Sequence, residues 1–391
     1  MTKTDVLVIG SGVAGYSALN EVVEKGLKAR VTMVSSDVDI PYDRPPLSKE
    51  YMRGQVEKPF FKPPEFYSSL KDFSLILNAE VVELRGKGAV LSNGDVIEFE
   101  KAVLATGGRP RRLNVSGSDL KGIYYLRTLR DADAIREALK GARSPVIIGG
   151  GFIGMEVASS MVYLGKRPTV IEALPHIWTT FVDEKVSEHL RTYFQGKGVD
   201  IITGDPVKEL YGRESNVEEV VTQGGKRVKA DMVLVAVGIV PNVEVAKRSN
   251  IAVDNGVPTD EYLRTSAKDV YAVGDVANVL DHRTEKRRRI EHWNNAWYTG
   301  ALAVRNALQG DKERYDFLST VWSDVFDLHI ESGGETRDYD DSVVKGNVEE
   351  NRFVVVYGKG GVTVGYVAFN WDFKELDRLN EAVKRGEPLP K

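Results

Sequence analysis

The pattern G-x-G-x-x-G occurs twice in this sequence, and it constrains the fold more than any other feature. The copies lie at residues 10–15 and 149–154, each after an apolar run rich in β-branched residues and before a helix-forming stretch. In such a motif a strand ends in a tight turn, and the free N–H groups at the N-terminus of the following helix face the pyrophosphate of a dinucleotide. Glycine is needed in the turn because a side chain there would prevent the pyrophosphate from approaching the backbone. Two copies in full context predict two dinucleotide sites, and therefore a redox enzyme with two cofactors.

An acidic residue follows each motif at the end of a second apolar strand. These residues are Asp37 and Glu172, and a carboxylate at this place accepts hydrogen bonds from ribose hydroxyls. Glu172 would also repel the 2′-phosphate of NADP, and the three residues after it include no arginine, so the sequence favours NADH over NADPH. His176 works against this preference, because a protonated imidazole tolerates a phosphate.

The order of elements around the first motif is repeated around the second. Each half reads as a β-α-β unit, a strand-rich insertion and a further strand that ends in glycine, and residues 270–275 indicate a return to the first module. From about residue 315 the pattern changes to short alternating strands and a final amphipathic helix. We therefore predict an α/β fold with two nested Rossmann-like dinucleotide-binding domains and a C-terminal α+β domain. The predicted boundaries are 1–112 with 240–314 for the first domain, 113–239 for the second and 315–391 for the third.

Local signals predict individual elements. Asn93-Gly94 is a two-residue turn signal of the kind that joins hairpin strands. The strands predicted near it cover 81–84, 89–91, 96–99 and, separately, 101–105. Helices are predicted at 293–308 and 371–384.

Composition excludes several kinds of chemistry. The chain has no cysteine, which excludes disulfide staples, thiolate metal sites, iron–sulfur clusters of its own and the thiol-dependent reduction of disulfides or peroxides. A net charge of -4 does not favour nucleic acid as a partner, and no metal site is expected. The longest apolar run, 232–240, is too short to span a bilayer, and strand-like sequence begins by Asp5 without a signal-peptide pattern, so a cytoplasmic protein is predicted.

A proline-rich segment then identifies a family. Residues 41–49 read Pro-Tyr-Asp-Arg-Pro-Pro-Leu-Ser-Lys, which closely resembles a signature of FAD-dependent, NADH-using ferredoxin reductases. Further motifs of that family match at 105–108, 125–128, 273–275, 291–293 and 322–324. The family includes putidaredoxin reductase, the reductase components of aromatic-ring dioxygenases, and apoptosis-inducing factor. The resemblance implies a glutathione-reductase-like fold, FAD and NADH as cofactors, and a small iron–sulfur carrier, a ferredoxin or rubredoxin, as electron acceptor.

The resemblance also implies roles for single residues. Lys49 and Glu156 are the predicted catalytic pair: the ammonium near the flavin N5 edge favours hydride acceptance, and a buried charge needs a partner. Trp293 is implied to lie beside the isoalloxazine, and Trp322 is better explained as a core aromatic. The residues predicted to bind FAD are Gly10, Gly12, Val13, Ala14, Gly15, Asp37, Arg44, Pro45, Lys49, Val82, Ala105, Thr106, Gly107, Arg127, Gly274, Asp275 and Trp293. The residues predicted to bind NADH are Gly149, Gly151, Phe152, Ile153, Gly154, Glu156, Glu172 and Gly238.

For the arginines and the basic run, other interpretations stay open. Arg44 is implied to contact FAD phosphate or adenine and Arg127 to contact the flavin, but either side chain could instead form a salt bridge. The run Lys286-Arg287-Arg288-Arg289 directly precedes the 291–293 motif, so its charge could steer an acidic carrier to a docking place near Trp293. A solvated loop is the alternative.

Two other functions and the assembly state also stay open. The chain could be an NADH oxidase or diaphorase whose acceptor is oxygen or a quinone. It could also resemble apoptosis-inducing factor in regulating a partner through an NADH-dependent state. A homodimer is compatible with the sequence.

Overall fold

The computed structural model describes residues 2–281 and 286–391. The helices are α1 (Val13–Glu24), α2 (Pro64–Ser69), α3 (Leu129–Gly141), α4 (Phe152–Tyr163), α5 (Glu184–Gly196), α6 (Glu244–Arg248), α7 (Trp293–Gln309) and α8 (Phe373–Arg385). The strands are β1 (Thr2–Ile9), β2 (Val31–Val34), β3 (Phe73–Ile76), β4 (Val81–Arg85), β5 (Gly88–Leu91), β6 (Val96–Leu104), β7 (Gly108–Pro110), β8 (Ile123–Tyr124), β9 (Pro145–Ile148), β10 (Thr169–Ile171), β11 (Asp200–Ile202), β12 (Val207–Arg213), β13 (Asn216–Thr222), β14 (Arg227–Lys229), β15 (Met232–Val235), β16 (Ile239–Pro241), β17 (Val257–Thr259), β18 (Val270–Ala272), β19 (Ala277–Asp281), β20 (Lys286–Arg289), β21 (Thr320–Val325), β22 (Leu328–Gly334), β23 (Asp341–Asn347), β24 (Arg352–Lys359) and β25 (Val362–Phe369). Short 3-10 helices lie at Pro45–Ser48 and Gly274–Val276.

The chain divides into two compact units. The first unit comprises Met1–Arg44, Lys58–Arg109 and Val240–Ser319, and the second comprises Pro45–Glu57, Pro110–Ile239 and Thr320–Lys391. Each unit contains one of the two glycine-rich motifs.

The first unit is built on a seven-stranded sheet. Its strand order is β3-β2-β1-β6-β5-β4, and β18 also pairs with β6. The pairings of β1, β2, β3, β6 and β18 are parallel, whereas β4 and β5 are antiparallel. Helices α1 and α7 approach closely at Gly300, where an added Cβ would lie 2.1 Å from the carbonyl oxygen of Ala14. A smaller sheet has the order β17-β19-β20.

The second unit contains a parallel sheet and two antiparallel sheets. The parallel sheet has the order β11-β10-β9-β15-β8, and the strands β12, β13 and β14 form the insertion. The C-terminal sheet has the order β21-β22-β25-β24-β23. Helix α8 packs on this sheet; the side chain of Asp372 caps its N-terminus, and Gly386 ends it in a left-handed conformation.

The predicted fold class is confirmed, but some local predictions are wrong. Residues 96–99 and 101–105 were predicted as two strands, yet β6 is continuous because β1 pairs along its whole length, from Ile97 to Leu104. For the basic run, the alternative of a solvated loop does not hold, because the run forms strand β20 and pairs with β19. The three-domain division stays a prediction. Among the helices that the structure describes, none is long and apolar enough to cross a bilayer.

Candidate functional site

The first glycine-rich turn joins β1 to α1 and leaves no space for side chains at two positions. A Cβ added to Gly10 would lie 2.2 Å from the carbonyl oxygen of Ala105. A Cβ added to Gly15 would lie 2.0 Å from the carbonyl oxygen of Gly10. Gly10 also has φ of 114°, which favours glycine. An added Cβ at Gly12 would lie 3.1 Å from Nη1 of Arg44, so this guanidinium lies over the turn. Val13 and Ala14 follow as the buried first residues of α1.

The second turn joins β9 to α4 and repeats this geometry. A Cβ added to Gly149 would lie 2.2 Å from the carbonyl oxygen of Ala236. A Cβ added to Gly154 would lie 1.9 Å from the carbonyl oxygen of Gly149. At Gly151 an added Cβ would meet no atom within 4 Å. The turn therefore has no room for side chains at Gly149 and Gly154, where it packs against its own strand and sheet. At Gly151 the space next to the backbone is empty.

The N-termini of α1 and α4 have no side-chain cap, a property that they share with α2, α6 and α7. Thr128, Asp183 and Asp372 cap α3, α5 and α8, whereas Gly12 and Gly151 provide no side chain and neither first turn contains an acidic residue. The unsatisfied N–H groups and the positive end of the helix dipole therefore suit an anionic ligand. The two turns fit the pyrophosphates of FAD and a nicotinamide dinucleotide.

The two predicted ribose-binding carboxylates have different surroundings. Glu172 is bound to the second turn, because Oε2 accepts a hydrogen bond from the N–H of Gly150 at 2.6 Å and Oε1 accepts one from Leu174 at 2.8 Å. Asp37 binds its own turn: Oδ1 accepts from two following N–H groups, and Oδ2 accepts from the hydroxyl of Tyr42 at 2.7 Å. His176 lies 3.4 Å from a carboxylate oxygen of Glu184.

Further residues predicted to bind FAD lie in the first unit. Gly274 has φ of 64°, and an added Cβ there would lie 2.9 Å from Cβ of Ala14 in α1. Asp275 follows it and is partly exposed. Trp293 begins α7, donates a hydrogen bond from Nε1 to Asp43 at 2.7 Å, and stacks on Trp297 with ring centroids 5.2 Å apart. The fold thus brings segments far apart in sequence to α1 and α7.

His292 precedes Trp293 and is neutral at pH 7. Burial lowers the pKa of this imidazole to about 4, although the nearby Asp275 carboxylate acts in the opposite direction. Nδ1 lies 2.9 Å from the hydroxyl of Ser319. This histidine therefore adds no positive charge to the surroundings of Trp293.

The other predicted residues lie at strand or helix ends. Ala105, Thr106 and Gly107 follow β6, Val82 lies in β4, and Gly238 follows β15 with φ of 90°. Phe152 and Ile153 form the start of α4, where the ring of Phe152 stacks on Phe181 with centroids 4.3 Å apart. Pro45, Lys49 and Arg127 belong to the second unit, and the remaining residues predicted to bind FAD belong to the first.

A buried polar cluster in the second unit contains the predicted catalytic pair. Lys49 and Glu156 are 7% and 5% exposed, and Nζ of Lys49 lies 3.1 Å from Oε1 of Glu156. The hydroxyl of Ser323 donates to the same oxygen at 2.7 Å, and the hydroxyl of Ser48 donates to Oε2 at 2.5 Å. One ammonium group therefore balances the charge of the buried carboxylate and two hydroxyls complete its hydrogen bonds, which makes the ion pair tolerable away from water.

Sequence reasoning missed the two serines in this cluster. Ser323 lies in β21, more than 160 residues after Glu156, so no local pattern joins them. Ser48 was part of the proline-rich signature, and Ser323 was part of the 322–324 motif. The membership of both residues in family motifs was the available signal.

Side chains of the basic strand β20 are largely engaged within the protein. Arg287 donates to the carbonyl oxygens of Thr259 and Asn278, and Arg289 pairs with Glu291. Arg288 lies 3.9 Å from a carboxylate oxygen of Asp281. Lys286 and Arg287 are nonetheless exposed. The strand presents less unbalanced charge than its sequence suggests.

Comparison with known proteins gives the family. The model of the pyridine nucleotide-disulphide oxidoreductase family matches residues 4–300, and a reductase C-terminal model matches residues 320–390. A rubredoxin-NAD(+) reductase of Pseudomonas putida is 33% identical over 348 residues, which are 88% of this chain and 90% of that protein. A ferredoxin--NAD(P)(+) reductase of a Sphingomonas species is 31% identical over 395 residues, 99% of this chain and 95% of that protein. The crystal structure of a covalent putidaredoxin reductase–putidaredoxin complex matches with a TM-score of 0.93 at 28% identity and covers 99% of this chain and 94% of that chain.

These matches extend over both glycine-rich turns and the C-terminal sheet. They confirm the resemblance that the sequence motifs predicted. By name the relatives are reductases of rubredoxin and ferredoxin, and the matched structure is that of a putidaredoxin reductase in complex with putidaredoxin. The chain belongs to the pyridine nucleotide-disulphide oxidoreductase family.

Proposed function

We propose that this chain is a flavoprotein reductase that accepts hydride from NADH onto bound FAD and passes single electrons to a small iron–sulfur carrier. The observation that carries the proposal is the presence of two uncapped glycine-rich turns in one cysteine-free chain of this family. Two dinucleotides exchange electrons, and without a thiol on the chain the electrons leave for an external acceptor.

The first turn and its neighbours are proposed to hold FAD, which when bound supplies the ability to take up hydride and release electrons. The N–H groups at the start of α1 bind the pyrophosphate, and the guanidinium of Arg44 adds positive charge over the turn. Asp275 accepts hydrogen bonds from ribityl hydroxyls. Lys49 provides a fixed cation that stabilises negative charge developing on the ring, and Glu156 keeps that cation oriented.

The second turn is proposed to hold NADH in preference to NADPH. The carboxylate of Glu172 is held against the turn by two N–H groups, so it is oriented before a ligand arrives. A 2′-phosphate brought to this carboxylate would meet like charge. Protonation of His176 would weaken the discrimination, and its pairing with Glu184 offsets part of that charge.

The carrier is proposed to dock near β20 and Trp293. The relatives and the solved complex name rubredoxin, ferredoxin and putidaredoxin as their partners. Lys286 and Arg287 leave positive charge at the surface, which suits an acidic protein, although Arg288 and Arg289 are mostly neutralised by neighbouring carboxylates. We expect this strand to affect the rate of association more than the affinity.

The test is anaerobic reduction followed by oxidation with defined acceptors. The protein is saturated with FAD, reduced with NADH in the absence of oxygen, and then mixed with rubredoxin, ferredoxin, a quinone or oxygen while flavin absorbance is followed. Fast reoxidation by an iron–sulfur carrier and slow reoxidation by oxygen support the proposal. Failure of NADH to bleach the flavin would refute it, and fast reoxidation by oxygen or quinone alone would identify an oxidase or diaphorase.

A control for docking uses two charge reversals. Lys286→Glu should slow carrier reduction, and the effect should weaken at high salt, since exposed charges are screened. Lys391→Glu, which reverses the charge of another exposed lysine, serves as the matched control. Equal effects of both substitutions would show that net charge, and not β20, steers the carrier.

A further inference from the structure

Strand β21 of the C-terminal sheet supplies a hydroxyl to the predicted catalytic carboxylate. Ser323 is completely buried, and its Oγ donates to Oε1 of Glu156 at 2.7 Å. Oε1 is also the oxygen that Nζ of Lys49 contacts. Two donors from separate parts of the chain thus share one carboxylate oxygen.

Helix α4 is anchored to the same strand and to the proline-rich segment by other contacts. Ser159 accepts a hydrogen bond from the N–H of Phe326, which follows β21, at 2.9 Å. Ser160 donates to the carbonyl oxygen of Ser48 at 2.7 Å. The packing of α4 therefore does not depend on Ser323 alone, and the Ser323 hydroxyl is directed at the charge of Glu156.

The shared oxygen connects Ser323 to the charge of Lys49. A carboxylate that accepts a neutral hydroxyl at Oε1 has part of its negative charge compensated there, so it attracts the ammonium less strongly. Without the hydroxyl, Glu156 would draw Lys49 closer and could also rotate about its terminal torsion, since one of its three donors is lost. Both changes would reduce the positive charge available to the flavin.

We propose that Ser323 is a positioning residue for Glu156, and through Glu156 for Lys49, so that the C-terminal sheet sets how readily the bound flavin accepts hydride. This inference rests on the proposed function, in which Lys49 acts on the flavin. The C-terminal domain then has a role in the chemistry besides any contact with a carrier.

The test compares Ser323→Ala with two other variants of the FAD-loaded protein. Ser323→Thr keeps the hydroxyl, and Ser332→Ala removes a different buried hydroxyl from the adjacent strand β22 of the same sheet. The midpoint potential of FAD is measured by redox titration. Stopped-flow reduction separates the hydride-transfer rate from the Kd for NADH.

Ser323→Ala should slow hydride transfer about tenfold, the effect of losing one hydrogen bond to a charged group, with an unchanged Kd for NADH. The midpoint potential should fall by about 30 mV, which is a tenfold change for a two-electron couple. Ser323→Thr should recover most of the rate, and Ser332→Ala should alter neither quantity. A folded Ser323→Ala protein with the wild-type potential and rate, or a Ser332→Ala protein with the same losses, would overturn the inference.

A double substitution separates a failure of this inference from a failure of the proposed function on which it rests. If Ser323 acts through the carboxylate, adding Ser323→Ala to Glu156→Gln should produce no further change in potential. An additive change would show that Ser323 acts elsewhere. If Glu156→Gln alone leaves potential and rate unchanged, the catalytic role of the Lys49 and Glu156 pair fails, whatever Ser323 does.

Discussion

Gly151→Ala should leave the fold intact and selectively weaken binding of NADH. In this structure an added Cβ at Gly151 meets no atom within 4 Å, and its φ of -84° and ψ of -166° are open to alanine. Stability should therefore hold or rise by about 0.4–1 kcal/mol, because alanine has fewer unfolded conformations than glycine. A bound pyrophosphate would meet the methyl group and move away from the N–H groups of α4. Each charge-assisted hydrogen bond lost costs about 1.5–3 kcal/mol, which raises Kd about 10- to 150-fold.

The assay titrates NADH into the FAD-loaded protein and follows binding by fluorescence, with thermal unfolding measured in parallel. The matched variant is Gly154→Ala, whose Cβ would lie 1.9 Å from the carbonyl oxygen of Gly149. That substitution must separate β9 from α4, so it should lower both NADH affinity and stability. If Gly151→Ala binds NADH as the wild type does, the space above Gly151 is not where the pyrophosphate lies, and the reasoning is wrong.

Three further predictions concern charge and cofactor retention. Glu172→Gln should lower the preference for NADH over NADPH about tenfold or more, measured as the ratio of kcat/KM values, and an unchanged ratio would contradict the role of its charge. The hydrogen bond to Asp324, together with the attraction of the Glu331 carboxylate 3.9 Å from Nε2, raises the pKa of His329 from 6.5 to about 9. Protonated His329 should therefore stabilise the fold by about 1–2 kcal/mol after screening. This contribution to the free energy of unfolding should be complete below pH 6.5 and should be lost as pH rises through 9. Denaturant unfolding of His329→Gln should lack that loss, and an identical pH slope would refute the assignment. Gly15→Ala, whose Cβ would lie 2.0 Å from the carbonyl oxygen of Gly10, should purify with little FAD, and a wild-type ratio of flavin to protein would oppose this.

The absence of cysteine separates this chain from the chemistry in its family's name. Disulfide reduction in a flavoprotein needs a thiol pair next to the flavin, and this chain has none. The same fold therefore supports a different route for electrons. The relatives that reduce rubredoxin and ferredoxin by name agree with that route.

Local patterns predicted those parts of the fold whose cause is local. The glycine-rich turns are readable because a strand, a tight turn and a helix N-terminus impose their needs on adjacent residues. The break expected inside β6 was wrong because pairing with the distant strand β1 decided its length. The solvated loop left open for the basic run does not form, because the run pairs with the preceding strand β19. Arginines are tolerated in this strand because Arg289 pairs with the carboxylate of Glu291 and Arg287 donates to the carbonyl oxygen of Thr259.

The sequence by itself determined the family, the two dinucleotide turns and the exclusion of thiol chemistry. Each of these depends on residue types at fixed short spacing or on the absence of one residue type. Only the tertiary structure decided which groups surround the charge of Glu156 and that Glu172 is held against the second turn. These contacts join residues whose separation in the chain bears no relation to their distance in space, since burial of a charge is satisfied by whatever donor the fold brings near.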